Sequence, residues 1–390
     1  MFIDLTEQQR ALRDRLRAYF RELVTPEERD EMRTDRHGPA FRAVVRRMGA
    51  DGWLGLGWPV EFGGSGYGPV EQQLFVTEAA RADVPLPSVT LETVGPTLQV
   101  HGTPEQQEHF LPKILTGEVH FAIGYTEPEA GTDLASLRTT AVRDGDDYVV
   151  NGSKVFTTGA HDADHIWLAC RTDPDARKHR GISILVVDTS DPGFSWTPII
   201  TSDGAHHVNA TFFSDLRVPA SRLVGEENRG WQLITTQLNH ERVMLGPAGR
   251  LGGLLDRVHE WLDGRADLRG TPLVQLPDVR RALARTRTAL RVNELLNWQV
   301  AASSAGRPVA AADASATKVF SSERVQELSR ELGDLVARHG DPGDPPTAEL
   351  LEWLDVHAKR DLVLTFGGGV NEIQRELIAT AGLGLPRVPR

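Results

Sequence analysis

The spacing of apolar residues changes twice along this chain, and the changes divide it into three regions. From Leu5 to about Glu118 the spacing is helical. Thr6 and Gln9 make a capping-box pair, and Leu12, Leu16, Phe20 and Leu23 follow on one face, which predicts an amphipathic helix. The turn-rich stretch "GLGWPVEFGGSGYGP" interrupts this region, and a further helix is predicted near Pro104 with Thr103 as its cap. From about Val119 to Gly225 short β-type runs take over: "HFAIGYT", "YVVNGSKVFTT", "HIWLACRT", "GISILVVDT" and "ATFFSDLRV". Asp144-Gly145 and Asn151-Gly152 read as turn signals between such runs. Helical spacing returns from Gly230, in "WQLITTQLNHERVMLGPAGRLGGLLDRVHEWL", "DVRRALARTRTALRVNELLNWQVAAS" and "SATKVFSSERVQELSRELGDLVARHG". The Pro/Gly stretch "GDPGDPP" before the tail reads as a loop. The expected division is therefore a helical domain over 1–118, a β domain over 119–228 and a second helical domain over 229–390.

Composition narrows the function classes. The 390 residues are 40% hydrophobic and 25% charged, enough to bury a sizeable core. A net charge of -11 with no concentrated basic face argues against a nucleic-acid partner. The single cysteine, Cys170, leaves no internal disulfide framework and no thiolate metal cluster, which points to a reducing cytoplasm. No apolar stretch approaches the roughly 18 residues that span a bilayer. The charged N-terminus lacks the apolar core of a signal peptide, so neither membrane nor export is expected.

The stretch Tyr125 to Ala160, "YTEPEAGTDLASLRTTAVRDGDDYVVNGSKVFTTGA", and a tail ending in "NEIQR" carry a family pattern. With the α, then β, then α order, they make nearly the whole chain resemble the acyl-CoA dehydrogenases. The resemblance implies an α+β fold, with an N-terminal helical domain, a central β domain and a C-terminal helical bundle. It also implies FAD as cofactor. By resemblance Ile123, Tyr125, Thr126 and Thr158 border the flavin ring, Thr132 reaches its pyrophosphate, and Phe156 packs on the ring where relatives usually have tryptophan. A hydride-accepting flavin needs such hydroxyl and backbone donors at its edge.

The family's reaction removes an α-proton from an acyl-CoA thioester while the β-hydrogen leaves as hydride, giving a trans-2-enoyl-CoA. A carboxylate base and donors at the thioester carbonyl are required. Most relatives carry the base in a "YEGT" tail motif; here the tail reads "GGGV", with Gly368 in the glutamate's place. A subset carries the base on a C-terminal helix instead, and that position matches Glu241 in "LNHERVML". Arg242 then serves substrate binding, and the Gly368 backbone faces the thioester carbonyl while its missing side chain leaves room for a bulky acyl group. The competing reading makes Glu241 a solvated helix residue or an ion-pair partner of Arg242 or Arg250. "HDADH", His161 to His165, matches no metal-ligand spacing and reads as a solvated loop. The glycines of "LGLGW" and "FGGSGYG" follow no strand of a βαβ unit and read as turns.

Homotetrameric relatives carry an "RxxFG" segment and a "GGxG" loop that reach the neighbouring FAD, and this chain has "WLDGRADLRGTPLVQ" and "ARHGDPGDPPTAEL" there. The departure resembles the base-bearing subunit of bacterial heterotetramers that degrade steroid side-chain CoA esters. It implies a non-identical partner subunit in an α2β2 assembly, with electron-transfer flavoprotein as electron acceptor. Three other readings stay open: a homotetrameric short- or branched-chain acyl-CoA dehydrogenase, a flavin oxidase or monooxygenase, and a non-catalytic partner subunit.

Overall fold

The computed structural model describes residues 4–235, 237, 246–303 and 310–387. Among them the chain is mixed helix and sheet, and it parts into two compact bodies. One comprises Met1–Leu23, Gly68–Pro85 and Arg242–Arg390; the other comprises Val24–Tyr67 and Leu86–Glu241.

The second body holds the sheet. Its strands are β1 (Phe121–Gly124), β2 (Thr140–Asp144), β3 (Asp147–Thr158), β4 (His165–Arg171), β5 (Ile182–Asp188), β6 (Phe194–Ile200), β7 (His206–Pro219) and β8 (Leu223–Val224). They order as β6-β7-β3-β2-β4-β5-β8, with β1 parallel to β4. β4 and β5 are covered on both faces, which is why they read as unbroken apolar runs. Tyr148, Val150, Ile166, Leu168, Leu185, Val187 and Leu216 build the core. Gly145, at φ +61°, makes the predicted β2–β3 turn. Asn151-Gly152 is no turn: it lies within β3 at a register shift, where a Cβ on Gly152 would stand 2.6 Å from Thr139 Oγ1. The exposed edge strand β6 was not among the expected runs, because it carries Pro198 and almost no inward alternation. Thr103 caps the Pro104–Leu115 helix in a full capping box with Gln106.

The first body opens with the Glu7–Leu23 helix, which buries Leu12, Leu16, Phe20 and Leu23 as the periodicity requires. Thr6 and Gln9 exchange hydrogen bonds of 3.0 and 3.2 Å at its start. Arg17 makes a bidentate pair of 2.8 Å bonds with buried Glu78 on the Pro69–Arg81 helix. The Gly249–Leu262 helix meets that same helix backbone to backbone, since a Cβ on Gly249 would lie 1.8 Å from the Thr77 carbonyl oxygen. Val258, Trp261, Val279, Leu283, Val325, Leu332 and Val336 join the Gly249–Leu262, Pro277–Ser303 and Ala311–His339 helices into one core. The "GDPGDPP" stretch is only partly loop: Asp344 caps, and Pro345 opens, a helix running to Arg360. Proline fits a first helical position because no partner is needed there for its missing N–H. Among the described residues no helix is long and apolar enough to cross a membrane.

Candidate active site

The Tyr125–Ala160 motif runs from the end of β1 through β2 and the whole of β3. Phe156 takes φ +60° at the register shift between Lys154 and Thr157, so Lys154 and Thr157 turn inward while Phe156 and Thr158 face outward. Phe156 is 63% exposed. An aromatic residue held in the left-handed region and left uncovered is costly and needs a compensating role. The Thr126 carbonyl accepts the Val155 N–H at 2.8 Å, which sets Thr126 beside this bulge. Thr132 is exposed in the following loop.

A buried ion pair fixes that loop. Lys154 Nζ donates to Glu127 Oε1 at 2.8 Å and to the Tyr125 carbonyl at 3.0 Å. Glu127 also accepts the N–H groups of Arg138 and Thr139, at 2.6 and 2.8 Å. Burial raises the Glu127 carboxyl, but Lys154 and these donors outweigh it and hold it below its ordinary value. Burial keeps the Lys154 ammonium below its own. Reading the motif by position missed this pair; its signal was a lysine at an inward position of an apolar strand.

Two further placements qualify the expected site. Tyr125 is turned inward, and its hydroxyl donates to Gln237 Oε1, so its side chain is not presented at the surface. Ile123 is half-buried in β1, paired with Trp167. Phe156 and Thr158 thus face outward on β3, with Thr126 tied alongside through its carbonyl.

Glu241 and Arg242 lie outside the described residues, but both flanks of their segment are anchored. On one side Gln237 is buried, accepting from Tyr125 and donating to Thr97 Oγ1 at 2.8 Å. On the other the Gly246 carbonyl accepts from Asn293 at 2.9 Å and Asn297 at 3.0 Å, and Asn297 in turn accepts the Ala248 N–H. Arg250, one of the arginines that could claim Glu241, bonds Asp361 at 3.0 Å. Gly368 sits in a turn at φ +65°, followed by Gly369 at φ +93°. Gln374 Nε2 donates to the Gly369 carbonyl at 3.1 Å, and a Cβ on Gly369 would meet that nitrogen at 2.6 Å. The sequence shows three glycines; the structure shows why at least two positions demand them.

The stretches that depart from the homotetramer pattern close on one another. Arg265 donates to Asp344 at 2.7 Å, and Trp261 Nε1 donates to Thr347 Oγ1 at 2.9 Å. In the sheet-bearing body a cleft of about 780 Å³ is lined by Asp173, Arg177, His179, Arg180, Arg229 and Trp231 among others. The "HDADH" segment is not a solvated loop but a packed turn. Arg42 reaches Asp162 at 2.9 Å and Asp164 at 3.3 Å, His161 Nε2 meets Asp35 at 3.1 Å, and His165 begins β4. Buried Cys170 has its thiol pushed up to about 12, which makes it inert.

Comparison with known proteins gives the lineage. The N-terminal, middle and C-terminal domain models of acyl-CoA dehydrogenase match residues 6–118, 122–217 and 228–383. The chain is 67% identical over 390 residues to acyl-CoA dehydrogenase FadE29 of Mycobacterium tuberculosis, with both chains covered in full. The ChsE4-ChsE5 complex from Mycobacterium tuberculosis contains a chain of TM-score 0.90 and 47% identity, again with full coverage of both. The Tcur3481-Tcur3483 steroid ACAD matches with TM-score 0.91 and 47% identity over both whole chains. With all three domains matched in order, this chain belongs to the acyl-CoA dehydrogenase family, FAD-dependent oxidoreductases that act on CH–CH bonds.

Proposed function

We propose that the chain is the base-bearing subunit of a heteromeric acyl-CoA dehydrogenase acting on a steroid side-chain CoA ester or a similarly bulky acyl-CoA. The observation that carries this reading is the tail turn, where Gly368 and Gly369 take left-handed backbone and position 368 has no side chain, while the Tyr125–Ala160 stretch keeps Phe156 and Thr158 outward. FAD, when bound, supplies the acceptor for the β-hydrogen as hydride. Phe156, Thr158, Thr126, Thr132, Ile123 and the Tyr125 backbone hold and orient it. Glu241 takes the α-proton as the positioned carboxylate base. Arg242 binds substrate, and the Gly368 turn receives the thioester carbonyl and leaves space for the acyl group. The cleft with three arginines and Trp231 suits the phosphates and adenine of coenzyme A.

Arg265 is engaged by Asp344 in its own chain, which favours a flavin site completed by a different subunit. The ChsE4-ChsE5 and steroid ACAD complexes support the same reading, and electron-transfer flavoprotein is the proposed acceptor. Coexpression with the product of the adjacent gene, then anaerobic mixing with a steroid side-chain CoA ester, tests the function. The flavin should bleach and the product should be a trans-2-enoyl-CoA lighter by two hydrogens. A flavin that stays oxidised with every bulky and short acyl-CoA tried contradicts it.

A further inference from the structure

Lys318 lies on the Ala311–His339 helix with no exposed surface, in a buried stripe with Ala314, Ser315, Thr317, Ser321 and Ser322. Its ammonium donates to the Gly369 carbonyl at 2.7 Å and to Asn371 Oδ1 at 2.9 Å. Asn371 continues the chain of contacts to Ser322 Oγ at 3.0 Å and Glu323 Oε1 at 3.1 Å, and Glu323 is held by Arg375 at 2.7 Å. From the same helix Ser315 Oγ donates to Gln374 Oε1 at 2.7 Å, which aims the Gln374 amide at the Gly368 and Gly369 carbonyls.

Burying an ammonium is expensive, and a neutral donor could serve the Gly369 carbonyl and Asn371 Oδ1 without burying a charge. A charge kept at this position therefore calls for a function beyond cohesion. We propose that Lys318 is a positioning residue for the dehydrogenation: acting through Gly369 and Asn371, it fixes the left-handed glycine turn and sets a buried positive charge behind the backbone that receives the thioester carbonyl. The inference rests on the proposed role of the Gly368 turn. A preorganised cation of this kind favours the negative charge that gathers on the carbonyl oxygen as the α-proton leaves. In this family member the tail has lost its carboxylate, so the turn serves the carbonyl alone.

The test uses the FAD-loaded enzyme and two ligands of one acyl shape: the enoyl-CoA thioester, and a CoA thioether lacking the carbonyl oxygen. Lys318→Met should slow anaerobic flavin bleaching by roughly tenfold or more at saturating substrate. It should also weaken the thioester while leaving the thioether Kd within about twofold, because only the thioester presents a carbonyl. Gln374→Leu, which keeps the cation and removes the amide that grips the turn, should show the same selectivity and serves if Lys318→Met does not fold. Selective loss of the thioester in either variant supports the proposal; equal loss of both ligands, or loss of neither, overturns it. Gly368→Ala is the reference: if it separates the ligands and the other variants do not, only the role of Lys318 falls. If it also fails to separate them, the reading of the turn as the carbonyl site falls too.

Discussion

Lys154 and Glu127 are a charged pair almost without solvent contact, and they tie the loop after Tyr125 to β3. Lys154→Met strands a buried carboxylate and should cost about 3–5 kcal/mol of stability, read as a lower urea midpoint; a midpoint unchanged from wild type would show the pair to be dispensable. The folded Glu127 carboxyl lies below its ordinary value, so its stabilisation is present above the usual carboxylate range and is lost as pH falls through the lowered value. Acid unfolding of Lys154→Met should accordingly depend less on pH across that window. Gly368→Glu should crowd the tail turn and weaken a bulky acyl-CoA more than a short one; equal losses in kcat/KM would remove the space-making role. At this scale the β-type run "YVVNGSKVFTT" put Phe156 and Thr158 on a strand, and β3 carries both. The sequence could not reveal that Phe156 sits at φ +60° or that the Tyr125 hydroxyl turns inward, because both depend on a bulge and on Gln237, far off in the chain. Lys318 was equally hidden, since its partners follow more than fifty residues later.

Elements were most legible where local chemistry decides them. The Thr6–Gln9 capping box and the Thr103 cap were legible because each closes within four residues, and the structure adds Gln106 as the second half of a box at Thr103. β6 escaped because an exposed edge strand has no inward face to write a pattern, and the Pro345 helix escaped because proline signals both a break and a start. Gly249 is a different case, a glycine required by a neighbouring helix and not by its own backbone. Gly249→Ala would drive a methyl into the Thr77 carbonyl and should cost about 1–3 kcal/mol, seen as a Tm lower by several degrees. An unshifted Tm would mean that the two helices part without penalty.

For the molecule as a whole, a flavin interface short of cationic groups leaves the phosphates of the cofactor poorly held in a symmetric pair. The chain purified alone should therefore be poor in FAD, and the coexpressed pair should be a yellow α2β2 tetramer with about two FAD, measured by absorbance and sedimentation. A homotetramer of this chain with four tightly bound FAD would contradict the assembly. The order of helix, sheet and helix was written in the change of hydrophobic period, but the proposal of Glu241 as base rests on a missing residue, with Gly368 standing where a carboxylate was expected. Anaerobic flavin bleaching by substrate in the Glu241→Gln enzyme, coexpressed with its partner, is the most direct measurement of that assignment. The account predicts normal FAD content and a bleaching rate lower by at least about a hundredfold; near-normal bleaching would place the base elsewhere.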